Sequence, residues 1–400
     1  MHFRIRVRPV PSILALFLTI CPTCFAAGKS LADLEREARE VLADPDNISR
    51  RKRIGLVFEL AARYVTAGET NEALTFYAKA LEHYPWNLDA QVAVAELLYG
   101  KGETDKAREK ATLVFNRAET DALLGRAAKV LGTPFEPKLP ESEPWPANTN
   151  ALALVPVGEI DVWLVLDVRR ELETILKIPV IIQHAPMTIP KPGRDALKLK
   201  AKDLRERITK AKSDRAFQAL LEQHNLSTKG LDEDEQIFVL TEKILETESD
   251  KEQARRFREE LAFLRRLGPQ WDANVLLNEV RQKFTAVAGS RRGYLGITEM
   301  DLYSNQNRYV FGLASMGLNC GILSYLRYTS ALLDEPPNRV RLRERTLKQA
   351  LSSAGLLFGL QRCTEPTCAR AYANDLAEHD SKQPKLCVAC NEAFAKRFGR

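Results

Sequence analysis

Four cysteines near the end of the sequence have the type and spacing of a metal site. Four residues separate Cys363 from Cys368, 18 residues follow, and two residues separate Cys387 from Cys390. Thiolate sulfurs arranged as two close pairs are a common ligand set for a structural zinc ion. Two disulfides are the alternative, since an oxidising compartment permits them. The spacing favours zinc.

The segment before these cysteines has a helical pattern. Apolar residues recur at helical spacing from Leu347 to Leu360, and the pattern runs directly into Cys363. Another cysteine, Cys320, stands alone in an apolar segment. We expect it to be a small buried side chain rather than a nucleophile.

Length and charge limit the classes of function. A chain of 400 residues is long enough for two or three domains, each with its own core. The net charge of +6 is spread over 59 basic and 53 acidic residues. Because no Lys/Arg block is interleaved with aromatic residues, no nucleic-acid partner is expected.

The N-terminus has the layout of a secretory signal peptide. Arg4, Arg6 and Arg8 precede an apolar run over residues 13–20, and small residues follow at Ala26 and Ala27. The apolar run is too short to span a bilayer. We expect residues 1–27 to be removed near Ala26/Ala27, leaving an exported, periplasmic protein without a membrane span.

Residues 28–132 are predicted to be helical and contain a repeat. The triplet at residues 68–70, Gly-Glu-Thr, recurs at residues 102–104, and small residues lie at equivalent places before and after it. This pattern resembles the tetratricopeptide repeat. The helices at residues 30–43 and 121–131 are expected to cap the two copies. The resemblance implies a surface for a protein or peptide partner; the alternative is a packing domain without a ligand.

A proline-rich linker is predicted at residues 133–148. Its prolines favour extended geometry and a semi-rigid spacer: Pro134, Pro137, Pro140, Pro144 and Pro146.

Residues 149–400 are predicted to form a mixed α/β domain, which makes the chain an α+β multidomain protein. Strands are predicted at residues 151–157, 178–182, 294–298, 301–303, 309–314 and 321–324, and helices at residues 165–176 and from 341 onward. Residues 194–267 are dense in mixed charge, with helical periodicity and no strand pattern. We interpret them as a helical insertion, a hairpin or pair of helices with a solvated charged face.

Several segments of this domain together resemble the archaemetzincins, a family of metzincin-clan zinc peptidases. The matching segments are residues 154–161, 295–303 and 309–314, followed by residues 347–390. These segments occur in the same order as in the family, and the resemblance as a whole covers residues 149–192 and 269–395. The resemblance implies a metzincin-like fold and a second, four-cysteine zinc site at the positions of the cysteines described above.

The catalytic signature of that family is absent from this sequence. The family carries H-E-x-x-H-x-x-G-x-x-H, in which three histidines bind zinc and the glutamate is the general base. The resemblance places the first histidine and the glutamate at Ser352 and Ser353, and the other histidines at Leu356 and Arg362. A methionine expected after the second cysteine falls at Arg370.

These departures, together with the signal pattern, predict an exported pseudopeptidase without catalytic residues. It would act as a binding or scaffold module, through its helical repeats and through the former active-site cleft. The alternative is a zinc-dependent metallopeptidase with unrecognised ligands. His184, His224 and His379 are scattered and supply no pair at helical spacing.

Overall fold

The computed structural model describes residues 30–43, 50–146, 150–184, 187–229, 233–247, 251–284, 292–305 and 307–398. The predicted signal peptide lies outside these ranges. The described residues group into two compact units.

The helical repeats belong to the first unit. Six helices follow one another in the described ranges: α1 (Leu31–Ala43), α2 (Arg50–Ala67), α3 (Thr70–His83), α4 (Leu88–Gly100), α5 (Thr104–Arg117) and α6 (Asp121–Leu131). The equivalent turn glycines Gly68 and Gly102 have φ of 81° and 82°, a conformation that favours glycine. The small residues Ala61 and Ala95 are fully buried between helices. The predicted helical repeat is confirmed.

The described elements after residue 150 include both strands and helices. They are β1 (Ala151–Pro156), α7 (Val162–Leu176), β2 (Val180–Ile182), β3 (Arg194–Asp195), α8 (Ala196–Ala211), α9 (Arg215–Gln223), α10 (Asp234–Thr247), α11 (Lys251–Leu267), β4 (Pro269–Asp272), α12 (Ala273–Lys283), β5 (Arg292–Thr298), β6 (Asp301–Tyr303), β7 (Gly312–Ser315), β8 (Cys320–Ser324), α13 (Ser330–Leu333), α14 (Arg339–Leu357), α15 (Leu376–Ser381) and α16 (Val388–Arg397). Among the described helices, none combines the length and apolar character that a membrane span requires.

The second unit contains a five-stranded sheet in the order β2-β1-β5-β8-β7. Its strands are parallel except β7, which pairs antiparallel with β8 at one edge. A smaller sheet has the order β3-β4-β6. The parallel pairing of β1 and β2 around α7 confirms the predicted crossover, and the mixed α/β class is confirmed with it.

Two glycines of β5 allow helices to approach both faces of the large sheet. A Cβ atom at Gly293 would lie 3.4 Å from the side chains of Leu357 and Phe358, at the end of α14. A Cβ atom at Gly296 would lie 3.3 Å from Val280 of α12. Successive strand residues alternate between faces, so α12 and the end of α14 cover opposite sides of the sheet.

The charged insertion differs from its prediction in two respects. The described part of residues 194–267 forms four helices rather than a hairpin or pair, and Arg194–Asp195 is a short strand that pairs antiparallel with β4. The prediction that this segment lacks a strand is therefore wrong. Two residues are too short to show the alternation by which a strand is recognised.

The strand predicted at residues 309–314 also begins later than expected, at Gly312. The backbone N–H of Val310 donates to the carbonyl of Leu302 in β6, at 2.9 Å. This hydrogen bond holds the preceding residues beside the small sheet. The connection to β8 is a 3-10 turn, Met316–Leu318, rather than a simple glycine turn.

Residues 161–167 and 329–343 are grouped with the repeats in the first unit. Within that unit, the carboxyl group of Asp121 accepts hydrogen bonds from the backbone N–H groups of Val162 and Trp163. The first N–H groups of a helix have no partner inside it. Asp121 therefore caps the start of α7.

The neighbouring Glu119 has a similar role for α13. Its carboxyl group accepts from the backbone N–H of Ser330 at 2.8 Å, from the Ser330 hydroxyl at 2.6 Å and from the backbone N–H of Asn338 at 3.0 Å. Glu119 is 8% exposed, so these hydrogen bonds are shielded from water. Glu119 in the loop between α5 and α6 and Asp121 at the start of α6 thereby fix the starts of two later helices.

Candidate metal centre and the helix before it

Helix α14 carries the positions at which the family has its first ligands. Ser352 and Ser353 are buried, at 6% and 5% exposure, and the Ser353 hydroxyl accepts a hydrogen bond from the Gln349 amide at 3.3 Å. Leu356 is half-buried. Hydroxyl and alkyl side chains give this helix face no imidazole or carboxylate with which to bind a cation.

The turn after α14 keeps the glycine of the family signature. Gly359 has φ of 85°, its N–H bonds to the carbonyl of Leu356, and the N–H of Leu360 bonds to the carbonyl of Gly355. This pair of hydrogen bonds is the Schellman end of a helix, which favours glycine at the left-handed residue. The chain therefore turns at the residue where the family signature has its glycine.

Arg362 lies at the position of the third histidine, and its guanidinium group is not a metal ligand. It is exposed, and its guanidinium lies 5.1 Å from the ring centre of Tyr372, a cation–π distance. Within the described ranges, no group of three or more His, Cys, Asp or Glu residues close enough to hold a metal includes α14.

The four predicted cysteine ligands do come together. The sulfur atoms of Cys363, Cys368, Cys387 and Cys390 all lie within 4.8 Å of one another, and the Cys363 and Cys387 sulfurs are 3.6 Å apart. All four are free thiols. A zinc ion about 2.3 Å from each of four sulfurs would place them roughly 3.8 Å apart. The cluster therefore fits a tetrahedral metal ion.

Backbone N–H groups point at two of these sulfurs. The Cys368 sulfur accepts from the N–H groups of Arg370 at 3.4 Å and Cys387 at 3.3 Å. Cys387 also caps α16, where its sulfur accepts from the N–H of Cys390 at 3.5 Å. This hydrogen bond lowers the pKa of the Cys387 thiol, whereas burial raises the pKa of Cys363. Hydrogen bonds of this kind stabilise thiolates, the form that binds metal.

Residues between the cysteine pairs are fastened to α14. Arg345, at 2% exposure, makes two hydrogen bonds to the carboxyl group of Asp380, at 2.7 and 2.6 Å. Lys348 donates to the backbone carbonyl of Asp380 at 3.0 Å. The segment that leads to Cys387 is therefore held against the helix that leads to Cys363, which brings the two pairs together.

Arg370 occupies the place at which the family resemblance implies a methionine. It is 2% exposed, and its side chain passes under α14 at Gly355, where an added Cβ atom would lie 3.0 Å from Arg370 Cδ. Its Nε and Nη2 donate to the carbonyl of Leu360 at 3.2 and 3.0 Å. The sequence showed only a departure from the family pattern here; the burial of this cation comes from the structure.

His379 is buried beside this segment and carries no charge at neutral pH. Its ring stacks on Tyr328, with ring centres 4.9 Å apart, and its Nε2–H donates to the carbonyl of Arg345 at 2.9 Å. Burial lowers the pKa of His379 to about 3, and the nearby charge of Lys382 acts in the same direction.

This pKa makes stability depend on pH in a defined direction. An unfolded histidine has a pKa of about 6.5, so between about pH 6.5 and 3 the unfolded chain binds more protons than the folded chain. The free energy of unfolding is therefore lost as the pH falls, by up to about 1.4 kcal/mol per pH unit. Replacement His379→Phe should shrink the loss between pH 6.5 and 5.0, measured by urea unfolding, by about 2 kcal/mol. Replacement of the exposed His224 by Phe should leave this pH-dependent loss unchanged. Equal losses in both variants would contradict the assignment of the pH dependence to His379.

Known protein families match the α/β segment and the repeat segment of the chain separately. Residues 273–396 match the model of peptidase family M54, and residues 64–122 match a tetratricopeptide repeat model. The archaemetzincin of Pyrococcus furiosus is 33% identical over 124 residues, which are 31% of this chain and 62% of that protein. The archaemetzincin of Pyrococcus abyssi is 33% identical over 125 residues, covering 31% of this chain and 64% of the relative. The chain thus spans a little under two thirds of the length of these curated relatives.

Solved structures of two archaemetzincins are also similar. That from Methanopyrus kandleri has a TM-score of 0.38 and 18% identity, over 64% of this chain and 99% of its own. That from Archaeoglobus fulgidus, complexed with malonate, has a TM-score of 0.36 and 16% identity, over 60% and 98%. The family resemblance read from the sequence is confirmed: the chain carries an archaemetzincin-like segment matching peptidase family M54 and, before it, a tetratricopeptide repeat segment.

Proposed function

We propose that this protein is an exported, catalytically inactive archaemetzincin-like protein that binds a peptide or protein and keeps a structural zinc site. The observation that carries the proposal is the contrast between two neighbouring sites. Positions Ser352, Leu356 and Arg362 offer no zinc ligand, whereas the four thiols that follow are complete and within 4.8 Å of one another. Hydrolysis by zinc needs an open coordination position on a bound metal and a general base.

The zinc ion would be held by Cys363, Cys368, Cys387 and Cys390. A tetrahedral site with four protein ligands leaves no position for water or substrate, so the bound ion supplies a cross-link rather than catalysis. It would tie the end of α14 to the start of α16. Export is supported by the N-terminal signal pattern alone, and secretion of a reporter fused to residues 1–30 tests it.

The edge strand β7 is the proposed binding surface of the α/β domain. The carbonyl of Phe311 accepts from the N–H of Ser324 at 2.9 Å. Hydrogen-bonded and non-hydrogen-bonded pairs alternate along an antiparallel ladder. By this alternation, Gly312 and Ala314 direct their N–H and C=O groups away from β8, and all of β7 is partly exposed. An extended peptide can pair with such an edge through its own main chain.

The repeat helices are the second proposed partner surface. Tetratricopeptide repeats generally mediate protein interactions, and the repeat match spans residues 64–122. Such repeats stack into a curved surface that accepts a peptide or a protein. The proposed role is therefore that of a module that brings a bound peptide and a protein partner to one chain.

A proline at position 314 tests the edge-strand mode. Ala314→Pro removes an N–H that points away from β8, so the β7–β8 ladder keeps its hydrogen bonds while the outer edge loses one. Peptides selected on the wild-type chain from a displayed random library should bind this variant about tenfold more weakly or worse. Fluorescence anisotropy with labelled peptides gives the affinities.

Ala314→Ser is the matched control, because it changes the side chain and keeps the N–H. It should retain wild-type affinity. Equal binding by the proline variant would exclude β7 as the docking edge. Cleavage of the selected peptides that a chelator abolishes would instead favour an active metallopeptidase with other ligands.

A further inference from the structure

Two cations are buried beside the four cysteines. Arg370 is 2% exposed and Lys382 is 5% exposed. The Arg370 guanidinium donates to the carbonyl of Leu360, and the Lys382 ammonium lies 3.5 and 3.4 Å from the carbonyls of Ala369 and Ala371. All of these acceptors are neutral, so the hydrogen bonds do not balance the two charges.

Neither cation has a carboxylate partner in the part of the chain that the structure describes. The ionisable groups facing Arg370 are Arg362 and the thiols of Cys363, Cys368 and Cys390. Those facing Lys382 are Cys368 and the cations Arg362, Lys348 and Arg370. Of the groups that act most strongly on the two cations in the described part of the chain, only the cysteines can become negative.

A buried charge without a partner is strongly destabilising, so an anion is needed at this place. Four thiolates and one divalent cation carry a net charge of minus two, which two buried cations balance. Two disulfides would be neutral and would leave both cations uncompensated. The charge at this place thus matches a metal–thiolate centre and does not match two disulfides.

We propose that Arg370 and Lys382 are the counter-cations of a divalent metal ion held by the four cysteine thiolates. They would stabilise the dianionic centre and favour it over oxidation to disulfides. This inference rests on the proposed zinc site and adds to it the residues that set its charge. Arg370 is part of the loop itself, since its backbone N–H already donates to the Cys368 sulfur.

The roles are tested in the full-length chain with neutral variants of similar length. Arg370→Met and Lys382→Met should each weaken zinc binding about 10- to 100-fold, as loss of a residue around a metal site commonly does. Lys385→Met and Lys396→Met remove exposed cations of the same C-terminal segment and serve as controls, with changes within about threefold expected because exposed charges are screened. Zinc affinity is measured by competition with a chromophoric chelator.

Charge-preserving variants separate charge from shape, and remain informative where a neutral variant folds poorly. Arg370→Lys and Lys382→Arg should recover most of the zinc affinity. If the neutral variants of the two buried cations bind zinc as tightly as the exposed controls do, the proposal is overturned. Charge-preserving variants as weak as the neutral ones would overturn it as well, since the effect would then be one of packing.

Cobalt binding distinguishes this proposal from the metal site on which it rests. Co²⁺ added to the wild-type chain should give the strong sulfur-to-metal charge-transfer absorption of a tetrathiolate. If the wild-type chain lacks this absorption, the zinc site itself is wrong. If the absorption is present and the buried variants bind zinc as the wild type does, the counter-cation role alone is wrong.

Discussion

The double variant Cys387→Ser/Cys390→Ser is expected to lose its zinc and to unfold the C-terminal segment of the chain. A serine hydroxyl has nearly the shape of a thiol but does not replace a thiolate as a zinc ligand. Structural zinc contributes about 10–16 kcal/mol in small domains, where binding and folding are one event. Here Arg345 and Asp380 also anchor residues between the cysteine pairs, so part of the segment's stability is independent of the metal.

We therefore expect a loss of several kcal/mol in the free energy of unfolding, roughly, rather than the full value for an isolated finger. A chelator should destabilise the wild-type chain and leave the double variant unchanged. Cys320→Ser is the matched control: it replaces a buried cysteine outside the cluster and should keep the zinc. Metal analysis and urea unfolding give both quantities. Zinc retained by the double variant, or lost from the control, would contradict the site.

Replacement Glu119→Ala is expected to be the most damaging change outside the cysteines. The carboxyl group accepts three hydrogen bonds, from Ser330 and Asn338, at 8% exposure. Hydrogen bonds to an ionised group contribute about 1.5–3 kcal/mol each, and a buried donor left without a partner costs more than an exposed one. We expect a loss of about 3–5 kcal/mol in the free energy of unfolding of the first unit.

Glu109→Ala is the control for this prediction, because Glu109 is exposed on α5. It should change stability by less than about 0.5 kcal/mol. Urea unfolding of the full chain measures both variants, and Glu119→Gln should fall between them since it keeps one acceptor oxygen. If Glu119→Ala behaves like the exposed control, the capping role is wrong. The full chain is needed because residues 329–343, which Glu119 holds, would be missing from a fragment ending at the proline-rich linker.

Local patterns in the sequence sufficed for the repeats and for the cysteines. Gly68 and Gly102 recur at the repeat spacing, and the structure gives them the same left-handed turn. The cysteine spacing alone predicted a cluster, and the four sulfurs do lie together. In both cases the signal and the structure depend on residues that are close in the chain or regularly spaced.

The parts that escaped prediction depend on distant pairs or on very short elements. Glu119 and Ser330 are 211 positions apart, and Arg345 and Asp380 are 35 apart, so no periodicity links them. β4 begins with a proline and contains polar residues, and β3 has only two residues. These elements are defined by their partners rather than by their own composition.

The departures from the family pattern were visible in the sequence, but their physical meaning was not. The sequence identifies Arg370 only as the residue at the place of the family's methionine. The structure shows that Arg370 is buried beside the thiols. Ser352 and Ser353 stood only as missing ligands. The structure shows that both side chains are buried and that the Ser353 hydroxyl accepts a hydrogen bond from Gln349.

The zinc content of the purified full-length chain separates a single structural zinc site from an active metallopeptidase. We predict one zinc ion per chain by native mass spectrometry and elemental analysis, held by Cys363, Cys368, Cys387 and Cys390. Two zinc ions per chain, with the second retained by Cys387→Ser/Cys390→Ser, would place a metal elsewhere in the chain. That result would contradict the proposed loss of the catalytic site.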